Sequence, residues 1–200
     1  MLSVYEGNQD KVLHGSTLTK LDLTEICNEL ASDDPKLPAH VFHKYMDKLF
    51  DDVISNSGKQ KFNDFWLEMN LYQKVFCSFL VFSGQTDNGG VYQFVFNRPQ
   101  FLIAVQESFN ELSIGSLVKD YDCVLNELNG NNVDKLAEIK SIFNNDSADF
   151  SSQWDAFVEG RGDLPSTEII ESYFYDKEFK EIFYKSVVGY INKNINYFLA

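Results

Sequence analysis

Cysteine is scarce here and unpatterned. Cys27, Cys77 and Cys123 are widely separated and show no CxxC spacing. An odd, scattered set excludes a disulfide framework and the common zinc motifs, and reads as reduced thiols of a cytoplasmic protein. Four prolines and eleven glycines exclude a loop-rich or low-complexity chain. No long hydrophobic run occurs. The longest apolar stretch, near Val75–Phe82, is interrupted by Ser78 and is far shorter than a membrane span. Met1–Asp10 lacks a basic region followed by an apolar core, so no secretory signal is expected. Basic residues are also short: 17 Lys and Arg stand against 30 Asp and Glu, a net charge of −13. That balance repels nucleic acid and anionic membrane, and favours basic partners.

What the chain does hold is aromatic. It is 44% hydrophobic and 15% aromatic, with eighteen Phe and ten Tyr, enough for a sizeable core. The dominant spacing is helical. Phe42, Met46, Leu49, Phe50 and Val53 form one apolar face, with Pro38 suited to a first turn and Gly58 to a stop. A second helix is predicted from near Asn63, with the stripe Phe62, Phe65, Trp66, Met69, Tyr72, Phe76, Phe79 and Leu80. Beyond Gly89-Gly90, Val91, Phe94 and Val95 form a short face. Pro99 then opens a helix with Leu102, Val105, Phe109 and Leu112 inward.

Ser116 is placed to cap a helix carrying Leu117, Tyr121, Leu125 and Leu128, stopped at Asn129-Gly130. Asn132 is placed to cap the next, with Leu136, Ile139 and Phe143 inward. Phe150, Trp154 and Phe157 predict a short helix. A last helical region starts near Ser166 or Thr167 with Ile169, Ile170, Tyr173 and Phe174. It breaks near Asp176 and continues with Phe183, Val187, Tyr190, Ile191, Ile195 and Phe198. The expected class is all-α: a compact single-domain multi-helix bundle over residues 36–200 with a helix-break-helix at Asn88–Gly90, and residues 1–35 as an arm or short helix.

Catalytic signatures are missing. No GxSxG, HExxH, P-loop or GxGxxG occurs. His40, His43 and Asp47 fall at i, i+3 and i+7 on one predicted helix and are the metal candidates, although a surface or capping role is the commoner reading. A Cys/His pair could only form through space, and carboxylate pairs carry little specificity in so acidic a chain. No cofactor is expected. Gly89-Gly90 resembles a phosphate-binding nest but is followed closely by no Lys, Arg98 being the nearest base. The structural reading is stronger: two glycines let one helix stop and another start at a sharp angle. Gln93 and Asn97 are four apart, so their amides share a face and are placed to bond backbone groups of the turn.

The acid is concentrated. Residues 111–163 hold eleven acids against four bases, over half of the net excess. The candidate partner-binding carboxylates there are Asp120, Asp122, Glu127, Asp134, Glu138, Asp146, Asp149, Asp155, Glu159 and Asp163. Asp134/Glu138 and Asp155/Glu159 lie four apart on predicted helices. One helical turn advances about 5.4 Å, and DNA phosphates rise about 3.4 Å along the axis and sit farther apart in space. Carboxylates on successive turns can therefore approximate a phosphate row. The bland alternative is an ordinary solvated face.

The most family-specific segment is Gln85–Asn97, Gln-Thr-Asp-Asn-Gly-Gly-Val-Tyr-Gln-Phe-Val-Phe-Asn. It resembles the Asn-Gly-Gly-Phe-x-Gln-Phe-Phe-x-Asn signature of the bacterial DNA-mimic-protein-like domain family, matching at Asn88, Gly89, Gly90, Gln93, Phe94, Phe96 and Asn97. Val91 departs from the aromatic common there. The similarity extends over about residues 61–198. The resemblance implies an all-α, cytoplasmic protein without catalytic activity. For the founding type it implies a homodimer whose acidic surface occupies a DNA-binding protein. The expected function is therefore a non-enzymatic acidic binding protein, a DNA mimic against a basic or DNA-binding protein, with no direct nucleic-acid or membrane binding. The alternatives are an interaction or immunity-type module using an apolar patch, and a metal-dependent enzyme.

Overall fold

A computed structural model describes residues 1–7, 64, 66, 67, 69–130, 150–160 and 164–197. Among these residues there are six α-helices and no strand, as the helical spacing requires. They are α1 (Leu71–Asn97), α2 (Leu102–Glu111), α3 (Gly115–Gly130), α4 (Phe150–Gly160), α5 (Ser166–Tyr175) and α6 (Lys177–Lys193), with 3-10 turns at Pro99–Phe101 and Ile195–Tyr197. The chain divides into two compact units, Met1–Ser3 with Val81–Lys177, and Val4–Leu80 with Glu178–Ala200.

In the first unit the core is built on rings. Phe82 stands edge-on to Phe94 at 5.0 Å, Phe109 at 5.2 Å, Phe174 at 5.4 Å and Tyr121 at 5.7 Å between centroids. Edge-to-face geometry sets the positive rim of one ring against the negative face of another. α3 packs against both α2 and α5. Its Leu117, Tyr121, Val124, Leu125 and Leu128 are buried, and the Tyr121 hydroxyl donates to the Leu102 carbonyl at 3.0 Å. Between α2 and α3 the chain turns through Ser113, whose φ of 56° is left-handed without being glycine. The Ile114 N–H reaches back to Phe109 O and the Ser113 N–H to Asn110 O, which satisfies carbonyls left open at the helix end. The N-terminus is tied down by Leu2 N–H to Gln100 O at 2.7 Å and by the Ser3 hydroxyl on the Glu107 carboxylate.

In the second unit α1 begins with a reciprocal cap. Gln73 N–H donates to Asn70 Oδ1 at 3.0 Å, and Asn70 N–H donates to Gln73 Oε1 at 3.1 Å. The helix predicted to run on from Asn63 is thus interrupted: Met69 and Asn70 are non-helical and a new helix starts at Leu71. Periodicity hides this break because Trp66 and Met69 before the cap residue and Phe76 and Phe79 after it are all buried. Phe79 packs on Phe183 at 4.2 Å, and Tyr72 stacks on Tyr197 at 4.2 Å. Lys74 is fully buried, its Nζ 5.8 Å from the Trp66 ring centre and donating to the Glu6 carbonyl. Burial lowers its pKa below 10.5, against the opposing charge of Glu6.

Candidate functional site

The helix break is assembled from both sides. Gly89 is extended, with φ −160° and ψ 26°, while Gly90 has φ 77° and ψ 178°, a left-handed conformation that favours glycine. Directly beyond it the Val91 N–H donates to Glu171 Oε1 of α5 at 2.7 Å. That carboxylate satisfies an orphan donor at the start of the second limb and lies at the positive end of its dipole. It also covers Gly90: a β-carbon there would collide with it. The Gln93 amide lies against Gly89 in the same way. Gln85 Oε1 accepts from Gln93 Nε2 at 3.2 Å and from Asn97 Nδ2 at 2.8 Å, spanning the break.

The amides of Gln93 and Asn97 therefore share a face, as their spacing predicts, but their partner here is the Gln85 side chain. Phe94 is fully buried, Phe96 packs on Trp154 and Phe157 at 5.0 and 5.3 Å, and Asn88 is exposed. Each of these motif residues except Asn88 holds the bend or the core. Glu171, the residue that completes the break, was missed. It lies eighty positions from Val91, and no local spacing marks it.

The carboxylates divide by what they touch. On α3 Asp120, Asp122 and Glu127 are half-buried, and each accepts hydrogen bonds within the unit. Asp120 takes the Tyr173 hydroxyl at 2.5 Å, and Asp122 takes Gln106 Nε2 at 2.6 Å. Glu127 takes both the Ser166 N–H at 3.1 Å and its hydroxyl at 2.5 Å. The hydrogen bond to Asp120, with burial and the Asp120 charge, raises the Tyr173 pKa above 10.0. Asp155 and Glu159 are exposed, one turn apart on α4. Asp134, Glu138, Asp146, Asp149 and Asp163 lie outside the described residues, as do His40, His43, Asp47 and Cys27.

Over the full sequence the first unit holds sixteen acids against six bases and the second fourteen against eleven, so most of the excess falls in the first. The described residues of the first unit carry eleven acids against three bases; those of the second carry four of each. Glu168 and Glu171 of α5 and Asp176 at its C-cap belong to this acidic unit, yet no local charge count marks them. Lys180, Lys185 and Lys193 follow closely in the chain and cancel them on paper, but those lysines belong to the other unit.

Cys77 is buried and Cys123 exposed, both as free thiols. Among the described residues no three His, Cys, Asp or Glu converge as a metal site, and no helix is long and apolar enough to cross a membrane. No family model matches the chain, and no curated protein and no solved structure matches it.

Proposed function

We propose that this protein is a non-catalytic binding protein whose acidic helical unit occupies the basic surface of a DNA-binding protein, as a DNA mimic. The observation that carries this reading is the uneven spread of charge: sixteen acids against six bases in the unit Met1–Ser3 with Val81–Lys177, and fourteen against eleven in the other. A field of one sign over one unit steers a basic partner and weakens with salt. The exposed pair Asp155 and Glu159 supplies carboxylates one helical turn apart, about 5.4 Å of rise. The motif resemblance at Asn88–Asn97 points to the same family of functions. The test is retention of native-host proteins on the immobilised protein at low salt, followed by elution with duplex DNA. The expected result is a DNA-binding protein released by DNA and by salt. Retention unchanged by Asp155→Asn, Glu159→Gln and Glu168→Gln together would refute the acidic surface as the binding element.

A further inference from the structure

The helical spacing of α5 sets Ile169 and Ile170 side by side in sequence, so only one can face the core. Ile170 is fully buried, while Ile169 is 47% exposed. Six residues on, about 1.7 turns, Tyr175 is 71% exposed, the most exposed large hydrophobic residue among those described. Tyr175, Glu168, Ser172 and Ile169 span, in that order, an arc of about 120° around the helix, and all are exposed, as is Asp176 at its extended C-cap. The stripe is bordered by acid. On one side Asp120 and Glu127 of α3 reach Tyr173 and Ser166; on the other Glu171 turns toward the α1 break.

A stripe that served only as a phosphate row would present carboxylates alone. This one sets an aliphatic and an aromatic side chain on either side of Glu168, with further carboxylates beyond, the arrangement of interface anchors interleaved with charge. We infer that the outward arc of α5 between Ile169 and Tyr175 anchors the docking surface, and that its occupant is a basic amphipathic protein segment. That segment offers an apolar side chain to Ile169 and an arginine to the face of Tyr175, where the ring quadrupole attracts a cation. Its remaining basic residues meet Glu168, Asp176 and the flanking carboxylates. The inference rests on the acidic-surface reading above and places its energetic centre on α5, outside the 111–163 segment.

The experiment measures fluorescence anisotropy of two labelled peptides. One is a helical Arg/Leu amphipath of about 18 residues, roughly five turns; the other is an oligoarginine of equal charge. The expected result is tighter binding of the amphipath. Ile169→Ala with Tyr175→Ala weakens it by roughly tenfold or more, and leaves oligoarginine unchanged. Both substitutions are at exposed positions, and circular dichroism checks that the fold is retained. If that variant binds the amphipath as the parent does, the α5 anchor is overturned, while salt-sensitive binding of both peptides still supports the acidic surface. If Asp155→Asn, Glu159→Gln, Glu168→Gln and Asp176→Asn together leave oligoarginine binding unchanged, the acidic-surface reading falls, and this inference with it.

Discussion

The carboxylate of Glu127 caps the first turn of α5, accepting the Ser166 N–H at 3.1 Å and the Ser166 hydroxyl at 2.5 Å. Seven residues earlier on α3, Asp120 accepts the hydroxyl of Tyr173, seven residues later on α5. Equal and opposite steps along the two helices define an antiparallel pair clipped at two levels, about 10 Å apart at 1.5 Å per residue. These two acids thus tie α3 to α5.

Glu127→Ala should destabilise the fold by about 1–2 kcal/mol, because it removes a helix cap and leaves two donors at Ser166 unmatched. Glu127→Gln should cost less, since an amide oxygen still accepts one bond. Urea denaturation midpoints at constant slope measure both. Equal stability of the Ala variant and the parent would show that water replaces the cap.

Gly90 and Gly89 should respond differently to alanine. At Gly90 the left-handed backbone and the overlying Glu171 carboxylate both oppose a β-carbon. A conformation near φ 77° and ψ 178° is nearly glycine-only, and Gly90→Ala should cost about 2–3 kcal/mol. Gly89 is extended backbone, open to any residue, and its obstacle is the flexible end of Gln93. Gly89→Ala should be milder, and Gln93→Ala in the same chain should recover part of the loss. Thermal melts of the three variants decide the order.

Phe82 should be the most sensitive core position of the first unit. Four rings meet its edges or faces within 5.7 Å. Phe82→Ala removes the ring and leaves a cavity the neighbouring rings cannot close, costing about 3–5 kcal/mol. Phe82→Leu keeps most of the volume and should cost clearly less. A Phe82→Ala loss no greater than that of the Leu variant would mean the core repacks.

How much of this was legible in the sequence depends on the range of the interaction. The stripes of α2 and α3, the start at Ser166 and the break at Asp176 arise from local periodicity and capping. They read directly from residues such as Leu117, Tyr121 and Ser166. The cap at Asn70 was legible in principle, as Asn-x-x-Gln, but a continuous aromatic stripe masked it. Glu171 at Val91, Glu127 at Ser166 and the hub role of Phe82 depend on which helices meet, and one-dimensional spacing carries no such information. The acid of α5 was hidden differently: windowed charge sums mixed residues that the fold assigns to separate units. At Ile169 the apolar run Ile169-Ile170 did not say which of the two turns outward.

Burial fixes how stability should change in alkali. Tyr121 is fully buried among Phe82 and Phe109, and this raises its pKa well above the ordinary 10.0. In the unfolded chain the phenol ionises near pH 10; in the folded chain it stays protonated. Its contribution is therefore present in full below about pH 10 and is lost as the pH climbs through the folded-state value. Tyr173, raised chiefly by its hydrogen bond to Asp120, adds in the same direction. Lys74 works oppositely: burial depresses its pKa, so its penalty is present at neutral pH and is relieved as the pH rises toward 10.5. Comparing Tyr121→Phe with the parent cancels the Lys74 and Tyr173 contributions. The variant should lose about 1 kcal/mol near pH 7, where the Leu102 carbonyl lacks its donor. Above pH 10 it should lose stability less steeply, by up to about 1.4 kcal/mol per pH unit. Parallel stability curves for the two proteins between neutral pH and alkali would show that the Tyr121 phenol does not resist ionisation in the fold.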